Sequence, residues 1–230
     1  MLAKDVMTAN VISVSEDTLI HDVIALLLKY RISAVPVVDN AMRVTGIVSE
    51  GDLLRFEDPN HALAWRTRWL DVVFGGRSVT AMETPGRTAG SVMTRPAITV
   101  DESTPLPTIA ALLERHRIKR VPVLREDRLV GIVSRANLLH GLADTIIDHH
   151  DSGAAKDRQI RQDLMKILLD EHKLDTVLVN VVVADGHVRL WGTVESTEEA
   201  LAAERAAKAM RGVRSVENNL STGPMSGVPL

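Results

Sequence analysis

Cysteine is absent from this 230-residue sequence, which excludes disulfides, thiolate metal sites and cysteine nucleophiles and leaves the redox compartment open. Long apolar runs are missing too. No stretch approaches the roughly 18 to 20 residues that a membrane-spanning helix needs, and the opening MLAKDVMTAN lacks the charged-then-apolar plan of a secretion signal. A cytoplasmic location is the expectation. Positive charge is scarce: 27 lysines and arginines stand against 30 acidic residues, a formal net charge of −3. That balance excludes the strongly basic surface by which nucleic-acid binders displace counterions. The catalytic signatures H-E-x-x-H, G-x-S-x-G and G-x-x-x-x-G-K-S/T do not occur. What remains is 45% hydrophobic residues, enough for one large globular domain or two modest ones.

The sequence does contain a copy of itself. DVMTANVISVSEDTLIHDVIALLLKYRISAVPVV at 5–38 matches SVMTRPAITVDESTPLPTIAALLERHRIKRVPVL at 91–124 with a constant shift of 86. Met7, Val14, Thr18, Leu26, Arg31 and Pro36 thus meet Met93, Val100, Thr104, Leu112, Arg117 and Pro122. After a one-residue loop deletion, Gly46, Ser49 and Asp52 meet Gly131, Ser134 and Asn137. Each copy reads strand, helix, strand, strand, helix. In the helices Val23, Leu26, Leu27 and Tyr30, and their counterparts Ile109, Leu112, Leu113 and His116, recur at spacings of three and four and form an apolar stripe. Thr18 marks one helix start as a capping hydroxyl, and Thr104 followed by Pro105 marks the other, with proline at the first helical position. AVPVVD and RVPVLR are short β-branched runs, and RVTGIVS and RLVGIVS supply the next strands. A unit of about 55 residues buries little core alone, so two copies sharing one core is the expected solution.

Between the copies, Trp65, Trp69, Val72 and Val73 fall at helical spacing before Gly75-Gly76. The segment reads as a packed helix or a partner surface, followed by a loop. Beyond the repeats, DRQIRQDLMKILLDEH reads as a helix and TVLVNVVVADGHVRLWGTV as a hairpin turning at Asp185-Gly186. STEEALAAERAAKAMRG is a second helix opened by a Ser196/Glu199 capping box and closed by Gly212, and VRSVENNLS is a last strand. SGAAKD is the junction and GPMSGVPL a loose tail. The organisation is therefore a first repeat at 1–57, an inserted helix and linker at 58–90, a second repeat at 91–150 and a small αββαβ domain with its tail at 151–230.

The repeats resemble a tandem pair of CBS domains, a Bateman module, through VMT at both starts, RISAVPVVD and RIKRVPVL, and the G-x-x-S-x-x-D turn of GIVSEGD. The last domain resembles a BON domain through GHVRLWGTV, the alanine-rich helix and GVRSVENNL. The implied fold is α+β: two β-α-β-β-α repeats packed as a pseudo-twofold pair, plus the αββαβ domain. CBS pairs of this kind bind adenine nucleotides or related adenosyl ligands. In GIVSEGD, Gly46 lets backbone approach, Ser49 offers a hydroxyl at a helix start, and Asp52 offers a carboxylate that can accept from both ribose hydroxyls.

Carried over by motif, one cleft joins Ser49 and Asp52 to Thr94, Ile98, Lys119 and Arg120, and the other joins Ser134 and Asn137 to Thr8, Ile12, Ser33 and Ala34. Only the first has a ribose acceptor and cations for phosphate, so the second is expected to be empty, weak or suited to a less charged ligand. Blander readings stay open. Asp52 is also a plausible helix-start carboxylate, Ser49 and Ser134 could be caps, Lys119-Arg120 alone is an ordinary solvated pair, and Asn137 still donates and accepts. His149-His150 reads as solvated linker, since adjacent strand residues face opposite ways and no third ligand sits at a recognisable spacing. Trp191 is out of phase with Val188 and Leu190, so it lies on an outer surface open to lipid or partner, or under a packed helix.

The resemblance implies a non-catalytic sensor with no required cofactor and no metal. Its ligand would be AMP, ADP or ATP, with NAD or S-adenosylmethionine as alternatives; a homodimer and a separate target protein are implied as partners. The competing reading is a dimeric adaptor whose BON-like domain binds phospholipid or an envelope protein, with the CBS pair as scaffold.

Overall fold

A computed structural model of the chain describes residues 1–55, 87–145, 154–170, 174 and 178–222. The inserted Trp65/Trp69 helix with its glycine end and following loop, the His149-His150 pair and the tail from 223 lie outside the described residues. In chain order the elements are α1 (Ala3–Val6), α2 (Ile20–Lys29), β1 (Ala34–Val38), β2 (Val44–Ser49), α3 (Glu50–Arg55), α4 (Ala89–Val92), β3 (Val100–Asp101) and α5 (Leu106–Arg115). There follow β4 (Arg120–Arg125), β5 (Arg128–Ser134), α6 (Arg135–Thr145), α7 (Ala154–Asp170), β6 (Val179–Ala184), β7 (His187–Val194), α8 (Thr197–Ala209) and β8 (Ser215–Thr222).

The chain divides into two compact units whose boundaries do not follow the repeats. The first-repeat unit holds the described residues between Ile12 and Ile98 with Glu126–Leu129. The second-repeat unit holds Met1–Val11, Thr99–Arg125 and the described residues from Val130 onward. Each repeat's opening segment is therefore packed with the body of the other repeat.

In the first-repeat unit β1 and β2 pair antiparallel, from Ala34 opposite Ser49 to Val37 opposite Gly46. The expected first strand shrinks to one parallel bridge between Val14 and Val37. Its bonds run from Val14 N to the Pro36 carbonyl (3.0 Å) and from Val38 N to the Val14 carbonyl (2.8 Å). Extending the ladder back toward Ile12 would need an amide donor at residue 36, and proline has none. On α2 the fully enclosed residues are Ile20, Val23, Ile24 and Leu27. The stripe is thus rotated toward Ile24, with Leu26 and Tyr30 only half-buried. Ala89, Val92 and Met93, from the start of the second repeat, complete this core.

The two threonines do not cap. The residue before α2 is Leu19, which has no side-chain cap, and α5 is preceded by Pro105, so Pro105 lies outside the helix. The exchanged segments fill the role instead. Ile20 N donates to the Arg87 carbonyl (3.1 Å) in one unit and Leu106 N to the Met1 carbonyl (3.3 Å) in the other, while Ala89 N and Ala3 N donate back to the Thr18 and Thr104 carbonyls (both 2.8 Å). Orphan amides of the first turn are satisfied by backbone, so a hydroxyl there is redundant. The opposite ends match a Schellman closure. Ile32 N reaches the Leu27 carbonyl (3.0 Å) and Arg31 N the Leu28 carbonyl (3.2 Å), and Ile118 and Arg117 repeat this onto Leu113 and Glu114. Arg31 and Arg117 adopt φ of 49° and 54°, the left-handed region that usually calls for glycine.

In the second-repeat unit β3, β4 and β5 form one sheet and β6, β7 and β8 another. The C-terminal αββαβ order is as expected. β6 and β7 pair antiparallel with Ala184 opposite His187, and the intervening Asp185 and Gly186 have φ of 49° and 76°, the type I′ signature. Ser196 Oγ accepts from Glu199 N (3.2 Å), while the Glu199 carboxylate accepts from Glu195 N (2.9 Å), one residue earlier than a reciprocal box requires. β8 returns parallel to β7. Ala200, Ala203 and Ala207 of α8 meet Leu164, Leu168, Val181 and Leu190 in one core, where small side chains let helix and sheet approach closely.

β6 is buried on both faces. Val179, Val181 and Val183 face that core, and Asn180 and Val182 are buried on the other side. Trp191 on β7 is covered rather than open: the His140 ring of α6 stacks on it at 4.5 Å between centroids, 8° from parallel. Asn180 Nδ2 lies 3.4 Å from His140 Nδ1. Arg161 of α7, only 5% exposed, donates to the carbonyls of Val181 (2.7 Å), Lys4 (3.3 Å) and Met7. One guanidinium thereby ties the edge of β6 to α1. Burial pulls its pKa down to about 10, with Asp5 acting in the opposite direction. Asp157, one turn earlier on α7, accepts from Asp185 N (2.7 Å) and Gly186 N (2.9 Å) and so fixes the hairpin turn.

Replacing Arg161 by Leu leaves three backbone carbonyls without that donor and should lower the unfolding free energy by about 3 kcal/mol. Urea titration measures the loss. Hydrogen exchange should quicken together in residues 1–11 and 179–184, and quickening in one segment alone would contradict the tie. Burial also pushes His140 below the usual histidine range. Its folded form therefore prefers the neutral ring, and the unfolded chain takes up the proton first. The stability this contributes is complete above roughly pH 6.5 and is lost as pH falls from there through the lower folded value. Replacing His140 by Phe should flatten that part of the stability–pH profile relative to the parent chain.

Candidate ligand-binding site

Strand β2 ends at Ser49 and α3 begins one residue later, so Asp52 falls in the first helical turn. Its Oδ2 accepts from Ser49 N (2.8 Å) and Ser49 Oγ (2.5 Å), and Ser49 Oγ faces Asp52 N at 3.4 Å. This is a capping box, with serine and carboxylate each addressing the other's amide. The helix-start reading of Asp52 is thus correct for one oxygen. The other oxygen does something a cap does not require. Oδ1 accepts from Thr94 Oγ1 (2.7 Å), a residue 42 positions away at the opening of the second repeat.

Backbone around this pair is equally fixed. Ile47 and Thr94 exchange two amide–carbonyl bonds (3.1 and 2.9 Å), and Glu50 N donates to the Ser33 carbonyl (3.0 Å). A Cβ on Gly46 would run into the Met93 side chain and lie 3.1 Å from the Thr94 carbonyl. The glycine therefore admits Met93 rather than ligand backbone, and Met93 is itself buried. Asp52 is only 8% exposed, whereas Thr94 is exposed. Of about four acceptor positions on a carboxylate, three are occupied. Accepting from two ribose hydroxyls at once requires the Thr94 hydroxyl to turn aside.

The second copy of the turn is built alike and wired oppositely. Asn137 Oδ1 accepts from Ser134 N (2.8 Å) and Oγ (2.6 Å). Asn137 Nδ2 then donates to the Val6 carbonyl (3.0 Å) and toward Thr8 Oγ1 (3.5 Å). Where Asp52 receives, Asn137 gives. A carboxylate at 137 would set oxygen against the Val6 carbonyl in a site 5% exposed, so the neutral residue is a structural requirement of the exchanged segment and not merely a lost charge.

The structure brings Ser49, Asp52, Thr94 and Ile98 into one unit, with Ile98 half-buried in the extended stretch beyond Pro96. Ile12, Ser33 and Ala34 belong to that same unit. Ser134, Asn137 and Thr8 meet in the other, which also carries Lys119 and Arg120; the Lys119 carbonyl accepts from Arg135 N (3.1 Å), as the Ser33 carbonyl accepts from Glu50. Sequence reasoning missed the use of Gly46 and the reversed donor at Asn137. The only signal for either was the coincidence, in both copies, of a methionine at the start and a glycine in the second strand.

Two repeats with exchanged openings and a repeated Ser–x–x–Asp/Asn turn, joined to an αββαβ domain, define a tandem CBS pair followed by a BON domain. The CBS domain family matches residues 3–58 and 89–144, and the BON domain family matches 156–224. The chain belongs to the CBS domain family and carries a BON domain after the pair. An uncharacterized protein of Methanocaldococcus jannaschii is 31% identical over 157 residues, 62% of this chain and 91% of that protein. The chloroplastic CBS domain-containing protein CBSX2 of Arabidopsis thaliana is 29% identical over 143 residues, 56% of this chain and 58% of that protein, so the chain spans little more than half of it. The crystal structure of CBSX2 superposes with a TM-score of 0.52 at 26% identity, over 64% of this chain and 97% of that one.

Changing Asn137 to Asp should destabilise the fold by about 2 kcal/mol at neutral pH. A carboxylate facing Val6 O has its folded pKa raised, so the penalty grows as pH rises above the unfolded value near 3.9 and disappears below it. Urea midpoints at pH 7 and pH 3.5, each taken against the parent chain, measure this; an equal difference at the two would refute the opposed-oxygen account.

Proposed function

We propose that this chain is a non-catalytic regulatory protein whose CBS pair binds an adenine nucleotide or related adenosyl ligand, with Asp52 reading the ribose. The observation that carries the reading is the Asp52–Thr94 contact: a nearly buried carboxylate whose second oxygen is held by the hydroxyl of an exposed threonine. Such a hydroxyl is displaceable at small cost, because a ligand hydroxyl replaces one hydrogen bond with another of the same kind. Lys119 and Arg120 are the candidate cations for phosphate by motif matching, and Ile98 is a candidate apolar contact for the base. The relative CBSX2 has been crystallised in complex with AMP. A homodimer and a separate target chain complete the reading. Binding would act by favouring one of two arrangements of the protein, to the extent that the ligand's affinity for them differs.

Asn137 shows that an amide fits this turn, so Asp52→Asn should fold and makes a clean test. Calorimetric titration of the full chain with AMP, ADP, ATP, NAD and S-adenosylmethionine should reveal binding by at least one. Asp52→Asn should weaken it by about a hundredfold, the equivalent of roughly 3 kcal/mol. Lys119→Gln should weaken phosphate-bearing ligands more than S-adenosylmethionine. Absence of binding by all five, or affinity untouched by Asp52→Asn, would overturn the reading.

A further inference from the structure

We propose that a second anion site, for a small phosphate-bearing molecule, lies in the second-repeat unit where the BON domain's first helix meets the opening of the CBS pair. A cavity of about 560 Å³ opens there, lined by Lys4, Glu102, Arg125, Arg158, Arg161 and Gln162 among others. The inference stands apart from the Asp52 reading, since every residue named here belongs to the other unit.

Charge makes the argument. Four cations line the cavity against one carboxylate, in a chain whose formal net charge is −3. Arg125 is matched by Glu102 at 2.5 Å, and that hydrogen bond holds the Glu102 carboxyl below the usual range. Arg158 faces Asp5 at 3.6 Å, an ion pair too long for a direct hydrogen bond. Arg161 is bound by backbone carbonyls, which satisfy its donors without cancelling its charge. Lys4 interacts electrostatically with the carboxylates of Asp101 and Glu102. Counting Asp5 and Asp101, three carboxylates stand against four cations, and the excess of positive charge sits in a partly enclosed space where charge is poorly screened.

An anionic phosphate group is the complement of that excess, and guanidinium forks suit its oxygens. The volume falls within the range of roughly 300 to 1,000 Å³ typical of small-molecule sites. It therefore fits a phosphate ester or polyphosphate better than a lone ion, with the Gln162 amide as a neutral donor. An occupant would touch α1 and α7 together and stiffen the seam that Arg161 already ties.

The test uses inorganic pyrophosphate, which has no ribose for Asp52 to read. Calorimetric titration of the full chain at low ionic strength should show binding, weakened about tenfold or more by Lys4→Gln and again by Arg158→Gln. Circular dichroism and urea midpoints verify that each variant folds, and Lys4, which is not a member of the Arg158–Asp5 pair, keeps the test independent of it. Asp52→Asn should leave pyrophosphate binding unchanged while weakening the nucleotide, so either site can fail alone. Absence of heat with the parent chain, or binding that Lys4→Gln and Arg158→Gln both spare, would overturn the proposal. Binding removed by Lys119→Gln and spared by Lys4→Gln would assign the anion to the nucleotide site and overturn it as well.

Discussion

Neither repeat closes its own core. The buried apolar cluster around α2 and the β1–β2 sheet is completed by Ala89, Val92 and Met93, and a Cβ on Gly131 would strike Met7, as one on Gly46 would strike Met93. The first amides of α2 and α5 are likewise satisfied by carbonyls of the exchanged segments. This exchange is the constraint on which the remaining features depend. It sets Thr94 beside Asp52, sets Val6 and Thr8 beside Asn137, and puts α1 where Arg161 can reach it.

The repeated turn shows how one backbone solution carries two chemistries. In both copies a serine hydroxyl and a carboxylate or amide oxygen satisfy the start of a helix, and this half is indifferent to charge. The other half of the side chain is free to differ. At Asp52 it accepts from a solvent-exposed hydroxyl; at Asn137 it donates to a buried carbonyl. The first contact is one that a competing hydroxyl can replace like for like, and the second cannot be broken without leaving a carbonyl unsatisfied.

The sequence was most informative where a local rule and the fold agree. Asp185-Gly186 between alternating strands, Ser196 ahead of an alanine-rich helix, and the doubled motif all mark real features, because each depends on residues close in the chain. It misled where a distant segment took over a local task. Thr18 and Thr104 have the form of caps, yet backbone from the other repeat satisfies the helix starts. Pro36 stops the first strand at one bridge. Arg31 and Arg117 hold left-handed positions with no glycine to announce them. Arg161 was unremarkable among the polar residues of α7, and Trp191 became interpretable only once His140 was found against it. That Ser49, Asp52 and Thr94 come together was legible because the two copies could be laid over each other, whereas the direction of each hydrogen bond was not.

The crossed openings also bear on ancestry. A solitary repeat built to this plan would expose the groove that Met93 or Met7 now fills, and would find the missing piece on a second molecule of its own kind. Tandem duplication turns that bimolecular encounter into one governed by the local concentration of a tethered segment. Association then no longer depends on how much protein the cell makes. The two halves are also released from identity, so that a substitution such as aspartate to asparagine can settle in one without appearing in its twin.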